Sequence, residues 1–139
     1  MDGMTWPGTE GKAEMDPDTR RIVAVVAHRS RAGRCPVLVH ALGTGESFVI
    51  EPLPDGFRDV ASGQVVRPGP DSFVLDGAGP VDLQATGDLD FEGFDHASGE
   101  RFTGRAGGGA SVTIYGGGQA DYFQYAMSYR PDGSVSQPG

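Results

Sequence analysis

The chain predicts an all-β fold: a single-domain antiparallel meander, barrel or sandwich of about nine to ten short strands. Three observations point there. Turn-forming clusters, among them Gly43 with Gly45, Pro54-Asp55-Gly56, Pro68-Gly69-Pro70 and Gly116 to Gly118, break the chain about every 8–12 residues. The runs between them are rich in Val, Phe, Tyr and Thr and alternate apolar with polar, the period of a half-buried strand. The sequence D-x-A-S-G occurs twice, at Asp59 to Gly63 and at Asp95 to Gly99. Each copy leads through a Gly-rich turn to a strand-like run, Ser72 to Leu75 or Ser111 to Ile114, which suggests a repeated hairpin-plus-strand unit. In that motif Asp and Ser can hydrogen-bond nearby backbone while Gly supplies positive φ, so it is first a turn signature.

Taken in order, residues 1–18 are rich in Gly, Pro and Asp and read as a flexible N-terminal tail, 19–129 as the all-β domain and 130–139 as a flexible C-terminal tail. The segment 20–31, RRIVAVVAHRSR, admits two readings. Asp16 as N-cap, Pro17 at the first helical position, Gly33 past the end and Pro36 beyond it would frame a helix at about 17–32, giving an α+β fold. Against that stand the β-branched Ile22, Val23, Val25 and Val26 and a turn at Ser30 to Gly33 that could close a hairpin, so a strand is preferred. The clearest strands follow at Val37 to Leu42, Phe48 to Glu51, Gln64 to Arg67, Ser72 to Asp76, Val81 to Ala85, Leu89 to Phe94, Glu100 to Gly104, Ser111 to Tyr115 and Asp121 to Tyr129.

Composition narrows the function. A chain of 139 residues is most simply one domain. Its net charge of −8 opposes a footprint on nucleic acid, where affinity comes largely from Lys and Arg. The charge is segregated: residues 20–45 contain five Arg and no acid, whereas 68–100 contain eight acids and no Lys or Arg. No apolar run reaches the roughly 18 residues of a membrane span, and one cysteine cannot make an intrachain disulfide, so a soluble cytoplasmic protein is expected. Ten of the eleven basic residues are Arg and Asn is absent, the usage of a GC-rich bacterial genome.

Candidate chemistry is sparse. In Asp88 to Phe102 the side chains of Asp88, Asp90 and Glu92 and then Gly93 match the first positions of a calcium loop. Position 12 falls on Gly99, however, and Leu89, Phe91 and Gly93 alternate with the acids as in a half-buried strand. A looser calcium site drawing on Asp95 or Asp82 is a separate hypothesis. His28, His40 and His96 lack the close spacing of a metal motif, and none of the glycine clusters fits a phosphate-binding loop. Cys35 lies near Arg29, Arg31 and Arg34, which would favour a thiolate, although a lone Cys at a strand start is more often a small apolar residue. The expectation is a non-catalytic acidic module that binds a protein partner, of immunity or accessory type, through Asp88, Asp90, Glu92 and Asp95. It is expected to be a monomer or weak homo-oligomer without cofactor or metal. The alternative is a sugar or peptide binder, or an enzyme, with His96, Tyr125 and Tyr129 at a barrel mouth.

Overall fold

The structure, a computed structural model, describes residues 15–76, 79–107, 109–116 and 122–129. The tails expected at 1–18 and 130–139 fall outside these residues except for 15–18. One helix, α1 (Pro17–Ala32), precedes ten strands: β1 (Leu38–Ala41), β2 (Glu46–Leu53), β3 (Gly56–Asp59), β4 (Gln64–Val66), β5 (Ser72–Leu75), β6 (Gly79–Ala85), β7 (Asp90–Asp95), β8 (Glu100–Ala106), β9 (Ser111–Gly116) and β10 (Tyr122–Ser128). All join one antiparallel sheet in the order β4-β3-β2-β1-β10-β9-β8-β7-β6-β5. Consecutive strands pair as hairpins except β4 and β5, and the one long-range pairing, β1 with β10, curls the meander into a nearly closed barrel. Between the edge strands β4 and β5 the seam is held by a side chain: the Gln64 amide donates to the Asp76 carbonyl at 2.8 Å and accepts from the Asp76 N–H at 2.9 Å. It thereby imitates one rung of a ladder. The all-β expectation holds, with β3 as a strand that the Pro54-Asp55-Gly56 break had concealed.

The preferred strand over 20–31 is overturned, and the helical alternative is the one found. Asp16 caps α1, its carboxylate accepting from the Asp18 N–H at 2.8 Å, and Pro17 opens the helix. Gly33 closes it in the left-handed region at φ 77°, its N–H donating to the Arg29 carbonyl. The physical reason lies in burial. Residues Thr19 to His28 are all buried, so every side of the helix is covered, and α1 threads the barrel's interior. Ile22 to Ala27 is apolar at both parities, and a barrel strand would have to turn half of those side chains to solvent. Helical β-branched residues cost a few tenths of a kcal/mol each, whereas burying each is worth about 1.5–3 kcal/mol. Burial wins. Met15, 2% exposed, already belongs to this core, so the packed fold begins ahead of the residue-19 boundary.

Around the helix the inward side chains Phe57, Val66, Phe73, Leu75, Val81 and Phe102 complete one continuous core. Two glycines fit the rings. Gly93 lies opposite Phe102 and Gly104 opposite Phe91 across the β7–β8 pair, and a Cβ at either would overlap the facing ring. No helix among the described residues is long and apolar enough to cross a membrane.

Candidate functional site

Three regions gather polar chemistry: the outer face of β6 and β7, the entrance end where α1 begins, and the exit end where it leaves the barrel. On the outer face, strand alternation sends Phe91 inward and leaves Asp90 and Glu92 exposed, with Asp88 exposed in the preceding turn. Asp82 on β6 is exposed beside them and meets His96 Nε2 at 2.9 Å, while the His96 ring stands edge-on to Phe94. Asp90 is opposite Arg105 in the β7–β8 register, and the remaining outward acids have no basic residue directly across. Among the described residues none of Asp88, Asp90 and Glu92 takes part in an ion pair. Asp95 does not share this face. It stands one step out of phase, is 2% exposed, and accepts from Ser98 Oγ at 2.6 Å and the Ala97 N–H at 3.3 Å. Its work is to tie the β7–β8 turn. Among the described residues no group of three or more His, Cys, Asp or Glu is placed to hold a metal ion, so the acids are spread along a face rather than gathered around a point.

At the entrance, the first turn of α1 carries two buried arginines. Arg21, 3% exposed, makes a two-pronged ion pair with the fully buried Asp59, Nε to Oδ1 at 3.0 Å and Nη2 to Oδ2 at 2.5 Å, and touches Asp18 at 2.8 Å. Its guanidinium stacks on Phe48 at 4.0 Å from the ring centroid. Burial alone would push the Arg21 guanidinium down, and the Asp59 and Asp18 carboxylates outweigh it, holding the group above its ordinary value. Arg20, 7% exposed, stacks on Phe123 at 3.7 Å and donates from Nη2 to the Met15 carbonyl at 2.9 Å. Burial pushes the nearby Tyr125 phenol up, against the pull of Arg20 and Arg21. The Met15 N–H in turn donates to Glu100 Oε1 at 2.6 Å, fixing the start of the helix against β8. Sequence reasoning read these arginines as part of a basic stretch. The available signals were the Asp16-Pro17 helix start and an acid, Asp59, in a motif already marked as a turn.

At the exit, His28 is 2% exposed, shares a hydrogen bond between Nε2 and the Tyr129 hydroxyl, and leaves Nδ1 without a partner among the described residues. Burial, with Arg31 and Arg34 nearby, pushes its imidazole below the ordinary value. Arg34 stacks on the Tyr129 ring at 3.8 Å, and burial pushes that phenol up. Cys35 sits close by; burial raises its thiol to about 11 against the pull of Arg29, so near neutral pH it is overwhelmingly protonated. Desolvation outweighs the arginines that the sequence placed around it. His40 lies on the outer face of β1, bonded through Nδ1 to Ser47 Oγ at 2.7 Å.

The residues expected at one mouth are not brought together. His96 is in the entrance-end turn between β7 and β8, Tyr125 is inward on β10 with β8 and β9 intervening, and Tyr129 is at the opposite end of the barrel. No protein-family model, no curated protein and no solved structure matches this chain.

Proposed function

We propose that this protein is a non-catalytic binding module whose acidic outer face on β6 and β7 takes a basic segment of a protein partner. The observation that carries the reading is the row of exposed acids, Asp82, Asp88, Asp90 and Glu92, of which the last three lack an ion-pair partner among the described residues. Like charges along one face repel, and a cationic partner relieves that repulsion. The helix inside the barrel supports the same reading, because α1 occupies the space in which a hollow barrel would carry a ligand. Beside the acids, the edge strand β5 presents Val74, 62% exposed, an apolar contact next to the charged one. A bacterial, cytoplasmic setting and an immunity or accessory role belong to the proposal, resting on the Arg-rich, Asn-free composition and the acidic net charge.

The test is capture of partners by the wild-type chain and by a variant carrying Asp88→Lys, Asp90→Lys and Glu92→Lys, all surface positions whose replacement leaves the core untouched. One stoichiometric protein is expected on the wild type. It should be lost from the variant, and lost on raising salt from about 0.1 to about 1 M, which shortens the screening length from about 10 to about 3 Å. An empty capture, or a partner held equally by both chains, counts against the acidic face.

A further inference from the structure

The entrance end holds a cavity of about 450 Å³ between the first turn of α1, the β1–β2 turn and β10. That is a size typical of small-molecule sites. Its walls are largely aromatic and aliphatic, with Phe48, Phe123 and Tyr125 at depth and Leu42 and Tyr122 toward the rim. Arg20 also lines it. Unlike its neighbour Arg21, Arg20 has no carboxylate partner among the described residues; its acceptors there are neutral, the Met15 carbonyl and the Tyr125 hydroxyl. Those two acceptors leave other N–H groups of the five-donor guanidinium, which borders the cavity. A guanidinium held 7% exposed on the face of Phe123 therefore keeps part of its planar fork of donors open to the cavity. Burying a charge without a counter-charge is costly, and an anion seated on the fork offsets that cost.

We propose that this cavity binds a small monocarboxylate with a planar apolar body, its carboxylate on Arg20 and its body between Phe48, Phe123 and Tyr125. A carboxylate matches the fork with two parallel hydrogen bonds. The choice over phosphate follows from the charges. Arg21 is already neutralised by Asp59, so a single positive charge is free, while Glu46 on the wall, turned to Thr44 Oγ1 at 3.1 Å, disfavours a second negative charge. The aromatic walls set the body, since flat rings gain most by stacking within such a slot. This site is separate from the acidic outer face and does not depend on it.

Titration with phenylacetate, followed by two-dimensional NMR of the Ala41, Gly43 and Thr44 amides, tests the assignment. Phenylacetate should shift these amides saturably, phenylacetamide and inorganic phosphate should bind at least about tenfold more weakly, and Arg20→Met should lose at least about tenfold in affinity. Should Arg20→Met fail to fold, Leu42→Trp, at a rim position 54% exposed, crowds the cavity with Arg20 intact and should cause a comparable loss. Equal affinity for the acid and the amide, preference for phosphate, absence of any shift with phenylacetate, or unchanged binding by the substituted chain would each overturn the proposal.

Discussion

In the β3–β4 hairpin the residue two places before the turn aspartate is Phe57, paired across the strands with Val66; in the β7–β8 hairpin the same two places hold Gly93 and Phe102. The large ring has changed strands. The turns themselves are alike. Gly63 and Gly99 have φ of 79° and 77°, their N–H groups donate to the Asp59 and Asp95 carbonyls at 2.8 Å, and each aspartate accepts from its serine hydroxyl at 2.6 Å. What differs is the far side of the carboxylate: Asp59 receives Arg21 from the helix, while Asp95 receives no basic side chain among the described residues. The comparison separates two kinds of information. D-x-A-S-G specifies a turn through groups within five residues, and so repeats faithfully. The interior is specified by what α1 leaves vacant on each side of the barrel, and so does not repeat.

The largest test removes the aspartates. Asp59→Ala strips a buried guanidinium of its main partner and should cost about 3–5 kcal/mol, toward the lower end because Arg21 keeps Asp18. Asp95→Ala removes bonds to Ser98 and the Ala97 N–H and should cost about 1–3 kcal/mol. Urea unfolding of both variants reads the difference; equal losses would mean that the Arg21 pair contributes nothing beyond the turn. Next comes the exchanged ring. A methyl at Gly93 would overlap both Phe102 and the Asp82 carbonyl, so Gly93→Ala should lose about 1–3 kcal/mol or more through overpacking. A neutral Gly93→Ala would show that the ring has room to move and that the two interiors are less different than they look.

Much of this was legible in the chain. Period-two alternation and regular Gly and Pro breaks specify the strands, because each strand needs one apolar face and each turn needs a residue that tolerates its backbone. The helix was obscured by its own β-branched residues: propensity speaks for a strand, and only the closed wall of other strands makes the helical choice favourable. Arg20 and Arg21 were illegible for a related reason. Charged side chains belong outside unless paired, and the Arg21 pairing joins residues 38 apart that no local pattern connects. The inward turn of Asp95 was legible in principle, since Asp88, Asp90 and Glu92 sit at even positions and Asp95 at an odd one. The outward reading grouped it with its neighbours by charge, where strand parity places it with the core.

The finest test asks whether the two turns are as alike energetically as they are in shape. Neither Gly63 nor Gly99 has any atom within 4 Å of where a Cβ would stand, so packing is removed from the question and backbone strain remains. Alanine at a left-handed position costs about 1–2 kcal/mol, partly offset by about 0.4–1 kcal/mol from a less flexible unfolded chain. Gly63→Ala and Gly99→Ala should therefore each lose about 1 kcal/mol, with urea midpoints shifted equally and unchanged slopes. A larger loss at Gly63 alone would mean that the turn and the Arg21 pair are coupled. Strain introduced at Gly63 would then reach Asp59, four residues back on the same hydrogen-bonded loop, and loosen its grip on the helix. Equal losses would place the whole difference between the hairpins where the ion pair and the exchanged ring place it, in the interior.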